Sequence, residues 1–105
     1  MDLESQIMGI IVNAGHGRSL CYESLNAAKS GDFIKAEELI DQSREALSQA
    51  HLIQTQLIEA DEGMGKTPMT LVMVHAQDHL MTSILCKELV IEMIDIHKKF
   101  RKYDS

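Results

Sequence analysis

Apolar and small residues recur three or four positions apart along most of the chain, which places them on one face of a helix. The pattern is interrupted at Gly31 and again at a glycine-rich segment that begins at Gly63. It resumes at Pro68, which suits the first position of a helix because proline has no N–H to leave unpaired. The periodicity therefore predicts three helices, at about 3–29, 33–62 and 68–102.

The connections between these helices are short. Asp32 is placed to cap the second helix, since its carboxylate can accept backbone N–H groups of the first turn, and Thr67 is placed to cap the third. At 1.5 Å per residue each helix would be roughly 40 Å long, so connections this short require neighbouring helices to run antiparallel. We expect residues 1–105 to form a single all-α domain, an antiparallel three-helix bundle.

The third helix carries two apolar faces. On a helical wheel with His75 at zero, one group of apolar residues lies at about 140 to 180° and the other at about 260 to 320°. The first group comprises Met73, Leu80, Ile84 and Ile91, and the second comprises Leu71, Val74, Leu85, Leu89 and Ile96. A three-helix protomer buries only one such face, so the second predicts self-association around the third helix.

Composition narrows the class of protein. The 105 residues fit one domain, and 16 acidic against 10 basic residues give a net charge of -6, which disfavours nucleic acid as a partner. Aromatic residues make up only 4% of the chain, which favours aliphatic helices over sheet. The two cysteines lie far apart, and we see no leader peptide and no apolar run that could span a bilayer. We expect a soluble, cytoplasmic protein with reduced thiols.

Four polar residues of the third helix, His75, Asp78, His79 and Thr82, lie within about 100° of one another. Asp78 is the least expected of them, because it lies in the middle of the second apolar face. A lone carboxylate there would be disfavoured, so it should be protonated, paired or bound to a metal. If that face is an oligomer axis, symmetry brings several copies of Asp78 together, and their oxygen atoms would suit Mg²⁺ or a similar hard cation.

Other interpretations of this cluster are open. A pair of histidines four residues apart is a weak signal, and a histidine held by structural hydrogen bonds is commoner than a catalytic one. A metal-dependent hydrolase built on His75, His79 and Asp78 is disfavoured, because Ala76 stands where the HExxH pattern has its glutamate. A non-catalytic acidic adaptor that binds partner helices is the alternative, with the polar cluster serving the specificity of assembly.

The segment Val74-His75-Ala76-Gln77-Asp78-His79-Leu80-Met81-Thr82 resembles the signature of the lactose/cellobiose family of enzyme IIA proteins from the bacterial sugar phosphotransferase system. The resemblance extends to residues 41–44 and 50–58, and to Ala14-Gly15 followed by Arg18-Ser19. One departure is Gly17, which stands where the resemblance predicts alanine.

The resemblance implies a phosphoryl carrier that works as a homotrimer. His75 would take a phosphoryl group from the phosphocarrier HPr and pass it to a cysteine of the cognate enzyme IIB. Asp78 would be the metal ligand shared by the three subunits at the axis, and His79 and Gln77 would support the reaction at His75. No organic cofactor is implied, and the membrane is reached only through the sugar permease. The sugar would be a β-linked disaccharide, of the cellobiose or chitobiose type in preference to lactose.

Overall fold

The computed structural model describes residues 2–104, with side chains described as far as Arg101. The chain forms three helices, as the periodicity predicts, and they pack into an elongated bundle of 58 × 20 × 20 Å. The elements are α1 (Leu3–Lys29), α2 (Phe33–Asp61) and α3 (Leu71–Asp104). Within the described residues, no helix is long and apolar enough to cross a membrane.

Two apolar clusters form the core, and each takes residues from all three helices. One cluster joins the first half of α1, the second half of α2 and the first half of α3; the other joins the remaining halves. This pairing requires α1 and α3 to run parallel and α2 antiparallel to both. The buried members are Ile7, Ile10, Ala14, Leu47, Ala50, Leu57, Met73, Ala76 and Leu80 in the first cluster. In the second they are Cys21, Ala28, Ala36, Ile40, Val90 and Ile94.

The connection from α1 to α2 is a tight turn at Gly31. Its backbone has φ +85°, a left-handed conformation that glycine adopts without a steric penalty. Asp32 then caps α2 as predicted, because its carboxylate accepts the Lys35 N–H at 3.1 Å. The Arg101 guanidinium lies against Gly31 and donates to the Lys29 carbonyl oxygen at 3.3 Å. The hydrogen bond from Arg101 therefore links the C-terminal part of α3 to the C-terminal end of α1.

The connection from α2 to α3 is organised by Asp61, the last residue of α2. Its carboxylate accepts the backbone N–H of Gly65 at 3.2 Å and that of Thr67 at 2.8 Å. These hydrogen bonds, first the one from Thr67, lower the pKa of Asp61. The loop that leads to α3 is thus held to the end of α2 by one side chain.

The predicted start of α3 is wrong by three residues. We expected Thr67 to cap the helix and Pro68 to begin it, but α3 begins at Leu71. The hydrogen bond to Asp61 holds Thr67 in the loop, and the Thr70 hydroxyl oxygen accepts the Met73 N–H at 3.3 Å instead. Thr70 therefore performs the capping role that was predicted for Thr67.

Candidate functional site

His75 lies in the second turn of α3, and its side chain is exposed. The residue four positions on, His79, lies directly beside it on the helix surface. The two imidazole rings are parallel, with centroids 5.7 Å apart and an angle of 9° between their planes. The structure therefore brings the two predicted histidines together as a stacked pair, with His75 on the solvent side.

His79 is half-buried because it lies against α1. A Cβ atom built on Gly15 would be only 3.3 Å from His79 Nε2, so the ring fits where α1 has no side chain. Burial is the main reason why the pKa of His79 is lowered; the positive charge of Arg18 and the neighbouring His75 lower it further, whereas Asp78 raises it. His79 is therefore neutral at pH 7, where an ordinary histidine is already mostly neutral.

Asp78 lies on the exposed apolar face of α3. The two faces that the sequence predicts are confirmed as different, since Met73 and Leu80 of one are 2% and 0% exposed. The other face lies outside the protomer core. Its exposed fractions are 91% for Leu71, 48% for Val74, 53% for Leu85, 50% for Leu89 and 51% for Ile96.

Gln77 lies on a different side of α3 from His75, about 200° away at 100° per residue. Its side-chain oxygen accepts the Gln54 amide N–H at 2.7 Å, and its own amide donates to Met73 Sδ at 3.4 Å. Both glutamines border an apolar depression of about 310 Å³ between the end of α2 and the start of α3. Within one protomer, the structure does not bring Gln77 to His75.

The described part of the chain forms no metal site by itself. Among the side chains that the structure describes, no three histidine, cysteine, aspartate or glutamate residues converge. Asp78 alone supplies two carboxylate oxygens on an exposed face. Oxygen ligands suit a hard cation, but two are too few to bind one.

Residues Cys21 and Cys86 are free thiols, and burial raises the pKa of Cys21.

Two residues of this region were not predicted as part of the site. Gln54 holds Gln77 from α2, and Gly15 makes room for His79 on α1. The Gly15 position carried a signal in the sequence, because a glycine inside a helix pattern often marks a close approach. Gln54 carried none, since a glutamine on a predicted helix is ordinary.

The exposed His75, stacked on a half-buried His79, defines a three-helix protein with an open imidazole site. Comparison with known sequences is consistent with this class: a sequence model described as "PTS system, Lactose/Cellobiose specific IIA subunit" matches residues 5–98. The chain belongs to this family, as its resemblance implied.

Several relatives match most of the chain. The N,N'-diacetylchitobiose-specific EIIA component of Escherichia coli K12 is 55% identical over 100 residues, which are 95% of this chain and 86% of the relative. The lichenan-specific enzyme IIA component of Bacillus subtilis 168 is 45% identical, over 93% and 89% of the two chains. The lactose-specific EIIA component of Staphylococcus epidermidis is 42% identical, over 91% and 94%.

Solved structures show the same fold. The cellobiose-specific enzyme IIA of Bacillus anthracis has a TM-score of 0.91 at 39% identity, over 97% of this chain and 94% of that one. The IIA(chitobiose) protein of Escherichia coli, solved in a complex with HPr, has a TM-score of 0.84 at 53% identity, over 96% and 98%. The fold of this chain is therefore that of the solved enzyme IIA proteins.

Proposed function

We propose that this chain carries phosphoryl groups on His75, taking them from phospho-HPr and passing them to a cysteine of its cognate enzyme IIB. The observation that carries the proposal is the position of His75, exposed on α3 and stacked on His79. Donor and acceptor must both reach the same nitrogen, which an exposed ring allows and a deep pocket would not.

The chemistry needs no group beyond the imidazole. An unprotonated ring nitrogen of His75 attacks the phosphorus of the donor's phosphohistidine, forming an N–P bond. The donor's N–P bond breaks, and its electron pair stays on the donor nitrogen. In the second transfer a thiolate of enzyme IIB attacks the same phosphorus, and the N–P bond electrons return to His75. Both steps are in-line displacements that depend on positioning and on stabilisation of the phosphoryl oxygens.

His79 and Arg18 support this chemistry in different ways. A neutral His79 adds no positive charge beside the attacking nitrogen of His75, and its ring lies parallel to the His75 ring. Arg18 is an exposed cation whose charge reaches His79, and it would favour phosphoryl oxygens at the site.

We further propose a homotrimer assembled on the exposed apolar face of α3. A row of half-exposed leucine, valine and isoleucine side chains is the kind of surface that a soluble chain covers by self-association. Three copies of Asp78 at such an axis would supply the oxygen ligands of Mg²⁺ or a similar cation, which would neutralise their mutual repulsion.

The donor and the sugar class are supported by relatives. The Escherichia coli IIA(chitobiose) protein, which is 53% identical, has been solved with HPr. The chitobiose-specific relative is 55% identical and the lactose-specific one 42%, so we assign the chain to a permease for a β-linked disaccharide of the chitobiose or cellobiose type. This role places the chain in the cytoplasm, with the membrane reached only through the permease.

Incubation with phosphoenolpyruvate, enzyme I and HPr tests the proposal. We expect one acid-labile phosphoryl group per chain, lost in His75→Ala and retained in the control His51→Ala, which removes an exposed histidine of α2. Labelling that survives in His75→Ala would overturn the assignment of the acceptor. No labelling of the wild-type chain, with the oligomer intact, would favour the non-catalytic adaptor instead.

A further inference from the structure

Gly15 lies in the middle of α1, where glycine is a poor choice for a helix. Its backbone does not explain the choice, because the glycines with positive φ are Gly31, Gly63 and Gly65. The surroundings do explain it. A Cβ on Gly15 would meet His79 Nε2 at 3.3 Å, and apart from the neighbouring atoms of α1 this is the one described atom within 4 Å.

The other two glycines inside α1 have different neighbours. A Cβ on Gly9 would meet the Ile53 side chain, and a Cβ on Gly17 would meet the Leu47 side chain, both on α2. These two glycines therefore accommodate the packing of α2 on α1. Gly15 instead accommodates one functional side chain of α3.

We infer that Gly15 is a positioning residue for phosphoryl transfer: its bare backbone seats the His79 ring, and that ring fixes the plane of His75. The inference rests on the proposed function of His75. Both links rest on geometry in the structure: a Cβ built on Gly15 would lie 3.3 Å from His79 Nε2, and the His79 ring is parallel to the His75 ring with centroids 5.7 Å apart.

The plane of the His75 ring matters because the attacking lone pair lies in that plane. A ring rotated away from the phosphorus presents its π face instead of its lone pair, so the in-line geometry is lost. A misplacement of 1 Å can slow an enzyme about 100-fold, so a displacement of a few tenths of an ångström should slow transfer roughly three- to tenfold. This is the displacement that a methyl group on Gly15 would force on His79, given the 3.3 Å distance.

A purely structural role for Gly15 predicts a different result. If the glycine only permitted close packing of helices, Gly15→Ala would weaken the fold and affect transfer only through that loss. If it seats His79, the better helix propensity of alanine should leave the urea midpoint unchanged or raised, while transfer slows. Stability and rate would then move in opposite directions.

The experiment compares Gly15→Ala, His79→Ala and the double variant in the full chain, with phospho-HPr as donor. We expect Gly15→Ala to lower kcat roughly three- to tenfold with little change in KM, and to shift the ring proton resonances of His75 in NMR spectra. In the His79→Ala background, Gly15→Ala should have no further effect, because the residue through which it acts is absent. Gly9→Ala is the matched control and should leave kcat unchanged.

Two results would overturn the inference while the proposed function stands. One is a Gly15→Ala protein that is phosphorylated on His75 at the wild-type rate. The other is an equal loss of rate in the presence and in the absence of His79, which would mean that Gly15 acts through something else. A wild-type chain that is not phosphorylated at all would reject the proposed function, and this inference with it, before any Gly15 variant is compared.

Discussion

Gly17 of α1 and Leu47 of α2 pack so closely that a Cβ on Gly17 would lie 2.6 Å from Leu47 Cγ. Leu47 is 2% exposed and belongs to the core cluster that includes Ala76 and Leu80 of α3. Gly17 is the position at which the resemblance predicted alanine. Leu47 occupies the space that a methyl group at position 17 would need, so the two helices approach closely at this point.

Gly17→Ala should therefore destabilise the protein even though alanine favours helix. Overpacking typically costs 1–3 kcal/mol and the gain in helix propensity is 0.5–1 kcal/mol, so we expect a net loss of about 1 kcal/mol in the free energy of unfolding. Urea unfolding at one fixed protomer concentration measures it. Adding Leu47→Val should recover part of the loss; if the two substitutions are simply additive, the packing explanation is wrong.

Ser43 should be a stabilising polar residue of the core. It is fully buried, its hydroxyl donates to the Gly17 carbonyl oxygen at 2.7 Å, and it lies 3.0 Å from the Cys21 thiol. Ser43→Ala leaves the thiol without its partner and should lower the free energy of unfolding by about 1–2 kcal/mol. The exposed Ser48 on the same helix gives the control, since Ser48→Ala should change the urea midpoint little.

The lowered pKa of His79 predicts a pH dependence of stability. The unfolded chain has the ordinary pKa of 6.5 at this residue and binds a proton more readily than the folded chain does. The stability that the folded protein gains from a neutral His79 is therefore fully present above pH 6.5. It is lost as the pH falls below that value towards the lower pKa of the folded state. Urea midpoints measured between about pH 7.5 and 5.5 should fall more steeply for the wild type than for His79→Gln. Equal slopes would show that His79 titrates normally.

The helices and their faces could be predicted from the sequence because apolar periodicity is a local property. The two faces of α3 follow from residue spacing alone, and the exposure of Leu85 beside the burial of Leu80 confirms them. The start of α3 could not be predicted in this way. Two backbone N–H groups of the loop bind Asp61, a competing partner that propensity arguments do not include.

The site was predictable as a set of residues but not as an arrangement. Spacing places His75 beside His79, whereas the contact of His79 with Gly15 depends on how far α3 is shifted along α1, and only core packing fixes that shift. For the same reason the hydrogen bond between Gln77 and Gln54 could not be predicted from the sequence. Spacing alone places Gln77 about 200° from His75, and yet the signature motif groups the two residues together.

The exposed face of α3 gives a prediction about assembly. Leu85→Lys puts a cation into the middle of that face, so three like charges would meet at the proposed axis and the oligomer should dissociate. Sedimentation velocity should then show the 11.8 kDa protomer instead of a species of three times that mass. Gln42→Lys, which adds the same charge at an exposed position of α2, is the control and should remain assembled.

Asp78→Leu tests the same axis from the opposite direction. If Asp78 lies at the axis, this substitution exchanges a buried carboxylate for apolar packing with the leucines at 85 and 89. The oligomer should then be more stable, so that it dissociates only at a lower protein concentration than the wild type does. Removing divalent cations with a chelator should loosen the wild-type oligomer and leave Asp78→Leu unaffected, because the variant has no carboxylates to neutralise. An Asp78→Leu chain that sediments as a monomer would contradict this prediction, because leucine at an apolar axis should strengthen the contact between subunits.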